Sequence, residues 1–141
     1  MTVKFKWYGD KVALKLNDRI AQRIDIAART LRDHIREKLS RSQPTVMQGG
    51  RRESGSLQGR RTKKGLKPSV PGQYPKVVTG HLRRNVQSEF QRDEMKARVG
   101  TNVLYGKFLE LGTRLMKRRP WLSRGVSETR GKIRRILAGK R

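Results

Sequence analysis

Leu16, Ile20, Ile24, Ala27, Leu31, Ile35 and Leu39 recur at intervals of 4, 4, 3, 4, 4 and 4. Steps of three and four return a side chain to one face of an α-helix, so the spacing predicts a single helix of some thirty residues carrying a continuous apolar stripe. Gly9 and Asp10 supply a turn and an N-cap ahead of it. Asp25 with Arg29, and Glu37 with Arg41, stand four residues apart and read as ion pairs on the solvated side. It is the strongest structural signal in the chain.

Ahead of the helix, "VKFKW" alternates Val3, Phe5 and Trp7 with lysines, the pattern of a short strand with one apolar and one cationic face. Behind it the periodicity stops. From Ser40 to Val78, Gly, Ser, Gln, Pro and Arg dominate, and nine basic residues face one Glu. So long a run without period inside one domain reads as a functional arm, a basic loop that orders against a partner. "PSVPGQYP" near its end is expected to be extended, because each proline restrains itself and its predecessor.

The pattern resumes at Thr79 and Gly80, which can cap a short helix, "HLRRNV". "QSEF" and "KARVGT" follow as two strands joined at "RDEM", then "VLYGKFLEL" as a brief helix stopped by Gly112. Pro120 suits the first turn of a last helix, whose apolar face is Leu122, Val126, Ile133 and Ile136 or Leu137. Gly125 and Gly131 weaken that helix by up to about 1 kcal/mol each relative to Ala, so it depends on docking. The expected class is α+β: a long N-terminal amphipathic helix, a long basic loop, a small antiparallel sheet, a short helix and a C-terminal helix. Residues 1–141 form one domain, with 40–78 as its arm.

Lys and Arg number 36 against 11 Asp and Glu, a formal net charge of +25. Uncompensated charge opposes compaction, so an excess of this size implies a polyanion or an acidic partner, with nucleic acid foremost. The absence of cysteine removes disulfides and thiolate metal sites. No apolar run approaches the roughly 18 residues of a membrane span, and "MTVKFKWYGD" lacks the apolar core of a signal peptide. The expectation is a protein made in the cytoplasm, without membrane contact.

Catalytic chemistry finds little foothold. His34 lies within the long helix and His81 opens the short one, neither with a second His or an acid at metal-ligand spacing. No P-loop, dinucleotide fingerprint or nucleophile elbow occurs. The reading is a non-enzyme without cofactor or metal. In "GRRESGSLQGRRTKKGLK", Arg51, Arg52, Arg60, Arg61, Lys63 and Lys64 can follow a phosphate backbone or dock on an acidic protein, and both stay open. "RLMKRRPWLSRG" mixes Met116, Trp121 and Leu122 into a basic run, and Trp with Arg are the residue types favoured at protein contacts, so Trp121 reads as an interface residue in preference to a core one.

The order of elements in the second half resembles the tail-component family of tailed bacteriophages, the small neck proteins known as tail completion, tail terminator or head-tail joining proteins. The resemblance runs from about Pro68 to Val126. It rests on Pro71, Gly72 and Pro75, then Thr79, Gly80, Leu82 and Asn85, then Gly100, Thr101, Asn102, Tyr105, Glu110, Gly112 and Thr113, and finally Arg119, Pro120, Trp121 and Leu122. Trp121 stands where members usually have Phe, and "SRGV" where they often have "RPAL".

The resemblance implies a structural virion protein of the neck, at the head-tail interface, built in the host cytoplasm. Its copies would form a homo-oligomer, a hexameric ring, between the head connector and the tail tube protein, with genomic double-stranded DNA passing through the lumen. Tyr105 and Phe108 would pack the protomer, Gly112 would end its helix, and Glu110 would pair with an arginine inside the protomer or next door. Thr79, Gly80, Leu82, Tyr105, Glu110, Gly112, Arg119, Pro120 and Trp121 would be the motif and subunit interface. Six copies at +25 each around one axis call for DNA or acidic neighbouring rings as counter-charge. Composition alone favours a different reading, a basic nucleic-acid-binding protein of ribosomal or nucleoid-associated type.

Overall fold

The computed structural model describes residues 8–41, 69–77 and 79–139. The strand expected at "VKFKW" lies outside the described residues, as does most of the basic arm, including Arg51, Arg52, Arg60, Arg61, Lys63 and Lys64. The class is α+β, in the order α1 (Gly9–Arg41), α2 (His81–Arg84), β1 (Val86–Gln91), β2 (Lys96–Thr101), α3 (Leu104–Leu111) and α4 (Leu122–Ala138).

α1 is the long helix that the stripe predicts, with Asp10 in its first turn and Lys38 and Arg41 in its last, each placed to favour the helix dipole. Asp25–Arg29 and Glu37–Arg41 pair as their spacing requires. α4 lies antiparallel along the second half of α1. A Cβ built on Gly125 would meet Ile35 Cγ1 at 2.5 Å, so the missing side chain is what lets the two helices approach this closely. At the other end of the crossing, Arg23 Nη1 donates to Leu137 O at 3.4 Å.

β1 and β2 form an antiparallel hairpin in register from Val86↔Thr101 to Gln91↔Lys96, turning at 92–95. It packs on another side of α1. Arg36 donates through Nε and Nη2 to the Val86 carbonyl at 3.0 and 2.6 Å, Arg32 reaches Ser88 Oγ at 3.3 Å, and Arg92 at the turn pairs with Asp18. Between helices and hairpin sits a small core of Ile35, Leu39, Leu82, Val86 and Trp121, with Leu31, Tyr74, Val77, Val99, Leu109 and Leu122 packed around it.

Four details differ from the sequence reading. Gly9 and Asp10 are not a turn and N-cap ahead of α1 but already lie in its first turn. The proline-rich segment is not uniformly extended: Gln73 N–H donates to Val70 O at 3.2 Å and Gly72 has φ +80°, a turn of type II with Pro71 at its second position. The short helix ends at Arg84 because Asn85 hands the chain to β1 at once. Pro120 lies outside α4, which starts at Leu122 after Trp121 as N-cap.

Candidate partner-binding surface

Glu110, Arg119, Trp121 and Leu122, four of the residues that carry the sequence resemblance, meet at one joint between α3 and the start of α4. Trp121 has no side-chain oxygen with which to cap its helix, and the Glu110 carboxylate does so in its place. Oε2 accepts from the N–H groups of Trp121 and Leu122, both at 2.8 Å, and Oε1 from that of Ser123 at 3.0 Å. These are among the four donors that a helix start leaves without intrahelical partners, and a negative charge there also meets the positive end of the dipole. Burial pushes the Glu110 carboxyl up, but hydrogen bonds from the Ser123 side chain and from these backbone groups outweigh it, so the group sits below its ordinary value. Among the described residues of its own chain Glu110 pairs with no arginine, and the cap takes its carboxylate instead.

Trp121 is a core residue, 3% exposed, and its indole Nε1–H donates to the Gly106 carbonyl at 2.9 Å. That overturns the interface reading, because composition around a tryptophan does not reveal whether its own chain covers it. Arg119 fastens the same joint by donating from Nε to Ser69 O at 2.9 Å and from its N–H to Leu109 O at 2.7 Å. Gly112 ends α3 as expected: its N–H donates to Phe108 O at 2.8 Å, and its φ of +81° is a conformation that side-chain-bearing residues rarely adopt. Leu82 is buried, Gly80 with φ +73° is the N-cap of α2, and Thr79 Oγ1 accepts from His81 N–H at 3.4 Å. Leu82, Glu110, Arg119 and Trp121 thus make their contacts within the chain itself, while Thr79, Gly80 and Gly112 shape its helix ends.

The exception is the outer side of α3. At 100° per residue, Gly106, Leu109 and Glu110 share the side turned toward the joint, whereas Leu104, Phe108 and Leu111 share the opposite one. Tyr105 and Phe108 do not pack the interior. Tyr105 is exposed beside the His81 ring, and Phe108 is 50% exposed. Leu104 and Leu111 are 84% and 67% exposed, and Leu115, at the tip of the turn that Thr113 and Met116 close by mutual backbone hydrogen bonds, is 96% exposed. Large apolar side chains left this open mark contact surfaces. The spacing 104–108–111 was present in the sequence, but so short a helix is apolar on both sides, and nothing local says which side is covered.

A second open surface lies at the far end of α1. Val12, Leu14, Leu16 and Ile20 are all exposed: among the described residues α4 ends opposite Arg23 and does not reach the first turns of α1. Near that end, Arg130, Lys132, Arg134 and Arg135 of α4 are exposed and make no ion pair among the described residues.

One polar cluster joins α1, α4 and the segment before α2. Glu128 accepts from His34 Nε2 at 3.0 Å, Arg124 Nε at 3.0 Å and Tyr74 OH at 3.2 Å, with Lys38 Nζ at 3.4 Å. Burial works against the Glu128 charge, yet these donors and the Lys38 charge outweigh it and hold its carboxyl at about 2. The Tyr74 hydroxyl is pushed up by burial and by the Glu128 charge. The acid that His34 lacked in sequence is therefore supplied from 94 residues away. Among the described residues no group of three or more His, Cys, Asp or Glu side chains is placed to hold a metal ion, and no helix is long and apolar enough to cross a membrane.

Compared with models of protein families, with curated proteins and with solved structures, the chain matches none.

Proposed function

We propose that the chain is a structural adaptor without turnover, a neck protein of a tailed bacteriophage whose copies form a ring between the head connector and the tail tube and let DNA pass. The observation that carries this reading is that a protomer of net charge +25 leaves large apolar side chains open on two separate elements, the first turns of α1 and the outer side of α3. A subunit that meets both its own copies and the rings above and below needs more than one such surface. The motif order from Pro71 to Leu122 supports the assignment, and Glu110 and Trp121 within it build the joint that presents α3. Cations facing the bore would be offset by the DNA inside it.

Electron cryomicroscopy of virions containing the tagged chain tests the reading. A ring of its copies at the head-tail junction is expected, and phage lacking the chain should accumulate separate heads and tails. Single molecules coating bare duplex at physiological ionic strength, with no ring in any virion, would overturn it.

The second reading, a nucleic-acid-binding protein of ribosomal or nucleoid-associated type, is favoured by Arg130, Lys132, Arg134 and Arg135 on α4. It requires tight binding by the monomer, with log affinity falling against log salt by roughly 0.9 per phosphate neutralised. The adaptor requires only weak affinity of the free chain for DNA.

A further inference from the structure

We infer that the outer side of α3, with the turn that follows it, is a docking surface for an acidic segment of a partner protein that carries apolar residues at helical spacing. The inference rests on the adaptor reading for the partner's being a protein, and on the chemistry of the patch for everything else.

Leu104, Phe108, Leu111 and Leu115 supply an apolar strip. Its charged border is cationic: Lys107 flanks one side of the strip on the helix, opposite the exposed Tyr105, and Arg114, Lys117 and Arg118 are exposed on the turn and the segment leading to α4. None of the four is ion-paired among the described residues. The single acid of α3, Glu110, points the other way and spends its charge on the backbone of α4. An occupant must therefore combine apolar side chains with negative charge.

A second copy of this chain does not meet that requirement. Its described acids are largely engaged, with Asp18, Asp25, Asp33, Glu37, Glu94 and Glu128 each in an ion pair and Glu110 in the cap. Its other open apolar surface, around Val12 and Leu16, is interspersed with Lys11, Lys15 and Arg19. Like charges brought against the border of α3 would oppose that contact. Duplex DNA satisfies the border but has no use for four open apolar side chains.

The test is fluorescence anisotropy with the full chain at about 150 mM salt, where charges more than roughly 8 Å apart are screened. The probe is a labelled synthetic helical peptide with Leu at i, i+3, i+4 and i+7 and Glu at its flanks. Two comparison peptides keep the Glu but replace Leu by Ser, or keep the Leu but replace Glu by Lys. Binding of the first peptide alone is expected, weakened about tenfold or more by F108S with L111S, as for anchors in a contact surface. V12S with L16S, an equal apolar loss elsewhere, should leave it unchanged. If F108S with L111S fails to fold, K107E with R114E and K117E gives the same reading from the border. Equal binding of the Ser peptide would overturn the proposal in favour of charge alone. Self-association abolished by F108S with L111S would overturn it in favour of a second copy, and binding to phosphatidylserine vesicles lost in the same variant would overturn it in favour of a membrane surface. The peptide assay reads the patch on the free chain, whereas rings in virions read the adaptor, so failure of one is distinct from failure of the other.

Discussion

Glu110 shows how one side chain can join two elements that sequence alone keeps apart. Its carboxylate replaces the cap that Trp121 cannot provide, so its removal should act on α4 and not on α3. Glu110→Ala is expected to cost about 1 to 2 kcal/mol, the range for loss of an N-cap with its charge at the dipole, and Glu110→Gln somewhat less because the amide oxygen still accepts. Urea unfolding measures both, and an unshifted midpoint in the Ala variant would show that solvent caps the helix equally well. Glu128 makes the corresponding prediction for pH. Its folded-state value of about 2 lies below the ordinary carboxylate range, so its contribution is complete above the unfolded value of roughly 4.3 and disappears as pH falls toward 2. Glu128→Gln should therefore destabilise at pH 7 and make no difference near pH 2, which thermal melts across that window would register.

At the scale of elements, the two glycines of α4 look alike in sequence and are opposite in role. Gly125 faces Ile35, and a methyl group there would have to displace it or part the helices, whereas nothing lies within 4 Å of a Cβ on Gly131. Gly131→Ala should stabilise by up to about 1 kcal/mol through helix propensity alone. Gly125→Ala should lose more than that gain, since overpacking costs about 1 to 3 kcal/mol. Parallel urea titrations with opposite shifts are the expected result. α1 and the hairpin were legible because periods of 3.6 and 2 are local properties, and the stop at Gly112 because a left-handed residue after an apolar run is a local demand. Which surfaces are covered was not local. The stripe predicts helix equally well at Leu16 and Leu39, but it takes α2, β1 and Trp121 to bury the second, while the first is open. Trp121 went inside because α3 offers it a carbonyl and a wall, and His34 found its acid across a helix crossing. The first turns of α1 carry a prediction of their own. Val12→Gln with Leu16→Gln should change stability by no more than about 0.5 kcal/mol, as at other open positions, while reducing the yield of rings. Normal rings from this variant would remove α1 from the subunit contact.

Over the whole molecule, the described residues leave both positive charge and apolar surface open to solvent. The described acids are mostly spent on internal pairs, which leaves the surplus of Lys and Arg facing outward beside open leucines. On the proposed adaptor reading, assembly would act on both, through burial of the apolar faces and through neutralisation by DNA or an acidic neighbour. The basic arm divides these contributions cleanly, because Arg51, Arg52, Arg60, Arg61, Lys63 and Lys64 add charge with little apolar surface. Deleting residues 51–64 shortens the connection between α1 and α2, and closure entropy changes only slowly with length, by about 0.6 kcal/mol per doubling. The deleted chain should therefore melt within a few degrees of the parent. On the proposed reading it should nevertheless fail to join heads to tails in an extract of infected cells, since the arm's charge would serve contacts with other molecules. Full joining by the deleted chain would assign the whole of the adaptor's grip to α1 and α3, and leave the arm without a part in it.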